Sequence, residues 1–149
     1  MRLTAAGSRL GFLLCEESTM LRAKDIMTKN VVTVKENTPI YEAVELMAKH
    51  DISGMPVVTD DMALVGILSE KDVIILFYTN ESGANRTVRD FMTEPAIYFD
   101  ENEDLVSVCD FLAKNIFRRV PVTSKGKVVG VISVRDILEH VLRIKAKKT

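Results

Sequence analysis

Asp25-Ile26-Met27-Thr28 recurs as Asp90-Phe91-Met92-Thr93, 65 positions further along the chain. That recurrence decides the architecture, because the same shift keeps working outward from it. Glu36-Asn37 returns as Glu101-Asn102, Ala48-Lys49 as Ala113-Lys114, and Pro56-Val57 as Pro121-Val122. One residue then drops out. Beyond it Val65-Gly66, Ser69 and Asp72 answer to Val129-Gly130, Ser133 and Asp136. A single deletion in a turn, with order kept on both sides, marks a duplicated unit.

Local rules give each copy the order β-α-β-β-α. In the first, the β-branched run Val31 to Val34 reads as a strand. Thr38-Pro39 predicts a helix start, with Thr as N-cap and Pro at the first helical position. Ile40, Ala43, Val44 and Met47 then share one helical face. A strand is expected over Pro56 to Thr59, a turn at Asp60-Asp61, and a third strand over Ala63 to Leu68. Ser69 caps a second helix, with Asp72 at the capping-box position. The second copy repeats this with strands Ala96 to Phe99, Val120 to Thr123 and Val128 to Ile132, and a turn at Ser124 to Lys127. Its helix faces are Leu105, Val108, Cys109 and Leu112, then Val134, Ile137, Leu138, Val141 and Leu142 behind Ser133.

The expected division is an N-terminal extension over 1–19, a first repeat over 20–79, a linker over 80–86, a second repeat over 87–143 and a basic tail over 144–149. Met20 is an alternative start. Each repeat is about 55 residues, too small to bury a sufficient core alone. The copies are therefore expected to pack with pseudo-twofold symmetry as an α/β (α+β) protein, leaving two equivalent clefts.

Composition narrows the function classes. Apolar residues make up 47% and charged residues 28%, ordinary for a globular protein. Twenty basic against 21 acidic residues leave a net charge of -1. No basic stripe with interleaved aromatics is present, so nucleic acid is not the expected partner. No apolar run approaches the ~18 residues of a membrane span, and a cytoplasmic location is expected. Cys15 and Cys109 give neither a disulfide framework nor a metal spacing, and Cys109 reads as a core side chain. With His50 and His140 far apart, no metal site and no catalytic constellation is expected.

The Asp-x-Met-Thr opening, the central Pro-Val and the ending Gly-φ-φ-Ser-x-x-Asp (φ apolar), in that order and twice over, resemble the cystathionine-β-synthase (CBS) domain. The resemblance covers residues 22–143. It implies a tandem CBS pair that binds adenosyl ligands (AMP, ADP, ATP or S-adenosylmethionine), is not an enzyme, needs no cofactor, and regulates a separate partner protein. It also implies a homodimer joined through helical faces, for which Ile40, Val44, Met47, Leu105, Leu112, Ile137 and Val141 are the candidates.

The ending motif carries a physical rationale for that chemistry. It leaves a strand and opens a helix, where free N–H groups favour an anion. The Ser hydroxyl can donate to a phosphate, and the Asp carboxylate can accept from a ribose diol. A plain capping pair would account for the same residues. Carried over by resemblance, site one takes Thr28, Val31, Ser53, Gly54, Met55 and Pro56 with Ser133, Arg135 and Asp136. Site two takes Thr93, Ala96, Arg118, Arg119, Val120 and Pro121 with Ser69, Lys71 and Asp72. Val31 and Ala96 would flank the adenine. Arg118-Arg119 stands where the first copy has Ser53-Gly54, so site two is expected to hold the phosphate. The competing reading is a ligand-free module for dimerisation or docking.

Overall fold

The opening segment of each repeat lies not on its own repeat but on the other. The computed structural model describes residues 21–78 and 85–148. They form two compact units, and neither is one continuous repeat. The expected extension over 1–19, the alternative start at Met20 and most of the linker fall outside the described residues.

Unit 2 comprises residues 31–96 with 126–128. Its elements are α2 (Ile40–His50), β1 (Gly54–Val58), β2 (Leu64–Ser69), α3 (Glu70–Val73) and α4 (Ile75–Tyr78), preceded in the chain by α1 (Ala23–Ile26) of unit 1. β1 and β2 pair antiparallel, with Gly54 opposite Ser69 and Pro56 opposite Ile67. Val34 joins β1 as a parallel bridge to Val57. Ile40, Ala43 and Met47 of α2 are buried with Met55, Val57, Leu68 and Val88, which confirms the helical face read from the 3.6 period.

Unit 1 comprises residues 21–30, then 97–125 and 129–148. It holds α1, β3 (Phe99–Asp100), α5 (Leu105–Lys114), β4 (Arg119–Ser124), most of β5 (Lys127–Ser133) and α6 (Val134–Lys148). The sheet order is β3-β4-β5, and β3 runs parallel to β4. Lys125 and Gly126 both have positive φ (53° and 82°), the two-residue hairpin turn that matches strand twist. Phe99, Leu105, Val108, Phe111, Leu112, Val120, Val122 and Ile132 form the core, together with Ala23 from the far end of the chain. The Cys109 side chain is half-buried against this core, and burial pushes its thiol above the usual range.

Several sequence expectations shift. The run Val31 to Val34 contributes one bridging residue, and the strand expected from Ala96 is only Phe99–Asp100. Pro56 sits inside its strand, not at the first position, since β1 starts at Gly54. Thr38 does not cap α2. Pro39 takes the N-cap place, while the Thr38 hydroxyl accepts from the Lys35 N–H at 3.2 Å. The second helix of the first repeat divides into α3 and α4. Residues 144–148, the basic tail expected as a helix end, continue α6.

Candidate ligand-binding site

The exchanged openings explain how the motif residues meet. In unit 1 the segment before Thr28 is laid along the start of α5. Ala23 N–H donates to Glu103 O (2.9 Å), Lys24 N–H to Glu101 O (3.0 Å), and Leu105 N–H to Leu21 O (3.0 Å). Unit 2 repeats these bonds 65 residues apart: Val88 N–H to Thr38 O (2.9 Å), Arg89 N–H to Glu36 O (3.0 Å), and Ile40 N–H to Arg86 O (3.0 Å). The opening aspartates stabilise the turn that follows. Asp25 accepts from Arg22 N–H at 2.7 Å and Asp90 from Thr87 N–H at 2.9 Å. The Thr87 N–H, helped by Arg86, holds the Asp90 carboxyl below the usual carboxylate range.

Past that turn the chain reaches the ending motif. Thr28 and Val131 exchange both backbone bonds, at 2.8 and 3.0 Å, and the Thr28 hydroxyl donates to Asp136 Oδ1 at 3.3 Å. The other oxygen, Oδ2, accepts from Ser133 N–H at 2.9 Å, and Ser133 Oγ accepts from Asp136 N–H at 3.1 Å. In unit 2, Thr93 and Ile67 exchange backbone bonds at 2.8 and 3.0 Å, and Thr93 Oγ1 donates to Asp72 Oδ1 at 3.3 Å. Asp72 Oδ2 accepts from Ser69 N–H at 2.9 Å and from Ser69 Oγ at 3.0 Å. The capping pairs are therefore real, and the threonine contacts go beyond capping.

The glycine of the ending motif exists for this approach. A Cβ on Gly66 would stand 2.8 Å from Thr93 O and 3.1 Å from Met92 Sδ. One on Gly130 would stand 2.5 Å from Met27 Sδ and 3.0 Å from Met27 Cβ. At Gly66 the obstacle is backbone, which cannot rotate away. Gly66→Ala is expected to destabilise unit 2 by about 1–3 kcal/mol, as overpacking does. Urea unfolding checks it, and an unchanged midpoint would refute the close approach.

The helix starts are less open to an anion than the sequence implied. Glu70 N–H, the first of α3, donates to Ser53 O at 2.9 Å, and Val134 N–H, the first of α6, to Arg118 O at 2.8 Å. Those bonds also regroup the expected residues. Arg118 sits one residue from Ser133 in unit 1, with Thr28 and Asp136, and Ser53 sits beside Ser69 in unit 2, with Thr93 and Asp72. The expected sites paired Arg118 with Asp72 and Ser53 with Asp136. Within each unit, the backbone carbonyl of the residue before the central strand meets the helix start of its own repeat. Arg119, Val120 and Pro121 lie in β4 of unit 1, and Gly54, Met55 and Pro56 in β1 of unit 2. Val31 and Ala96 belong to unit 2, half-buried and buried. Arg118 is exposed and Arg119 half-buried. Arg135 and Lys71 are exposed one position before the aspartates, with Arg135 3.4 Å from Glu139.

The CBS domain matches residues 23–78 and again residues 88–143. The chain belongs to the CBS domain family. Its pair of CBS domains is 34% identical over 116 residues to the protein MJ1225 of Methanocaldococcus jannaschii, a match that takes in 78% of this chain but 41% of that longer relative. Among solved structures, CBSX2 in complex with AMP superposes with a TM-score of 0.75 at 28% identity, over 83% of this chain and 98% of that one. CBSX2 is a CBS-pair protein of Arabidopsis thaliana. The CBS pair of MJ0100, in complex with 5′-methylthioadenosine and S-adenosyl-L-methionine, superposes with a TM-score of 0.69 at 29% identity, over 87% and 98%. Among the described residues, no helix is long and apolar enough to cross a membrane.

Proposed function

We propose that this CBS pair is a non-catalytic regulatory module that binds an adenosyl ligand, in the series AMP, ADP, ATP and S-adenosylmethionine, and signals its occupancy to a separate protein. CBS pairs of the same fold hold AMP, 5′-methylthioadenosine and S-adenosylmethionine. The observation that carries the reading is the unit 1 grouping, in which Arg118 is bonded through its carbonyl to the first N–H of α6, beside Ser133 and Asp136. An exposed guanidinium supplies bidentate phosphate contacts. The Asp136 carboxylate supplies the acceptor for a ribose diol. Arg135 adds a second exposed cation to unit 1, whereas the matching unit 2 positions are Ser53 and Lys71. Unit 1 is thus the proposed phosphate-bearing half, with Thr93, Ser53, Ser69, Lys71 and Asp72 forming the half suited to an uncharged adenosyl ligand. In the unit 2 half, Val31 and Ala96 remain the proposed flanks of the adenine. Native mass spectrometry of freshly purified protein, followed by calorimetry with AMP, ATP and S-adenosylmethionine, tests this. Failure to bind any of the three would leave the ligand-free docking module as the better reading.

Exposed apolar side chains bear on the homodimer. Of the candidates for that contact, Ile40, Met47, Leu105 and Leu112 are core residues, no more than 8% exposed. Val141, also a candidate, is exposed, and it belongs to a set at matching positions of the duplicated helices: Ile74 with Leu138, Phe77 with Val141, and Tyr78 with Leu142. All six are more than half exposed. Isolated apolar side chains on a surface are ordinary, but Leu138, Val141 and Leu142, at i, i+3 and i+4 of α6, form one helical face, and Ile74, Phe77 and Tyr78 repeat that spacing in unit 2. We infer that a second copy of the chain covers it, since a twofold contact buries both copies of one face. Light scattering should give about twice 16.7 kDa, and Val141→Glu with Leu142→Glu should return the monomer. A wild-type monomer at high micromolar concentration would refute it.

A further inference from the structure

Neither aspartate of the ending motifs is held by its own repeat alone. Asp136 Oδ2 is fixed by the Ser133 N–H three residues earlier, but Oδ1 is met by the hydroxyl of Thr28, 108 residues away. The second unit builds the same pair from Asp72 with Ser69 and Thr93. In both, the threonine backbone is pinned by two bonds to the strand residue that stands two before the serine, Val131 or Ile67. The threonine backbone is thereby held, and the carboxylate is met on both oxygens, which restrains its turning about χ2.

A carboxylate has about four acceptor sites. The bonds to Asp136 take one on each oxygen and leave capacity on both, in a fixed plane. A vicinal diol presents two O–H donors side by side, and such a plane meets both at once. We propose that Thr28 is a positioning residue, which orients Asp136 to accept a ribose 2′,3′-diol and so sets the preference for ribonucleosides over deoxy analogues. The inference rests on the adenosyl-binding reading above and adds the source of its sugar selectivity.

Thr28 need not touch the ligand, and the test separates positioning from bulk structure. Thr28→Val keeps the shape and both backbone bonds while removing the donor. Losing one ordinary hydrogen bond is worth about 0.5–1.5 kcal/mol, or roughly two- to tenfold in affinity. Calorimetry with AMP and with 2′,3′-dideoxy-AMP is run on wild type, Thr28→Val and Thr28→Ser, with urea unfolding on each. The expected result is a two- to tenfold loss for AMP in Thr28→Val, no change for the dideoxy compound, and recovery in Thr28→Ser. Equal losses for both compounds, or no loss for AMP, would overturn the positioning role and leave the binding reading standing. A wild type that binds neither AMP nor any other adenosyl ligand would overturn the binding reading, and the positioning role with it.

Discussion

Arg118→Ala is expected to weaken AMP binding ten- to hundredfold and to leave adenosine binding nearly unchanged. A charge-assisted hydrogen bond is worth about 1.5–3 kcal/mol, which converts to roughly that factor. Adenosine has no phosphate for the guanidinium to hold, so it reports the sugar and base contacts alone. The bond between Val134 N–H and Arg118 O sets the Arg118 backbone at the start of the helix carrying Asp136, and the proposed unit 1 grouping rests on that placement. Asp136→Asn should therefore lower affinity for AMP and adenosine alike, while Asp72→Asn should leave the arginine-dependent part of AMP binding intact. Asparagine is the better probe than alanine. Asp136 also caps α6 through Ser133 N–H, and losing a cap costs about 1 kcal/mol of stability. Calorimetry on the three variants decides between the groupings. If Asp72→Asn and Arg118→Ala removed AMP binding together while Asp136→Asn kept it, the cross-repeat pairing implied by resemblance would be right.

The fold was legible in the chain because duplication shows every signal twice. The Ser69 and Ser133 caps, the Lys125-Gly126 turn and the buried stripe of α2 all follow from rules acting within a few residues. The site residues were legible as types for the same reason. Their grouping into sites is not a local property. Whether Arg118 lies by Asp136 or by Asp72 depends on how strands separated by many residues are laid together, and no local periodicity encodes that. The opening motif hid a second fact. Asp25 and Asp90, read in the sequence only as the start of the repeated opening, cap the short turns that precede Thr28 and Thr93. One cue was available. Gly66 and Gly130 recur inside strands, where glycine often marks the close approach of another backbone, and here Thr93 O and Met27 make that approach. The burial of the dimer candidates was misread for a related reason. Apolar residues that seemed too many for two thin repeats are used up by the exchanged openings, since Ala23 and Val88 each complete a core whose other residues come largely from the other repeat.

Ala23→Glu should unfold unit 1, although the residue lies at the start of the first repeat. Ala23 is fully buried among Phe99, Leu105, Val108 and Ile132, all residues of the second repeat. A glutamate there has no room and no cation built to meet it. An unpaired buried charge costs about 3–5 kcal/mol, against a total of about 5–15 kcal/mol for a typical native protein. The neighbouring Lys24 is exposed, and Lys24→Glu should change stability by about 0.5 kcal/mol or less. Val88→Glu is the matching substitution in unit 2, where Val88 is equally buried. Cysteine labelling locates the damage, because Cys109 is half-buried against the unit 1 core. Ala23→Glu should expose its thiol to an aqueous reagent, while Lys24→Glu should leave it protected. The result bears on function as well as stability, since the segment that buries Ala23 is the one that brings Thr28 to Asp136. If Ala23→Glu melted like wild type and kept Cys109 protected, the opening segment would not be seated on the second repeat, and the pairing of Thr28 with Asp136 would fall with it.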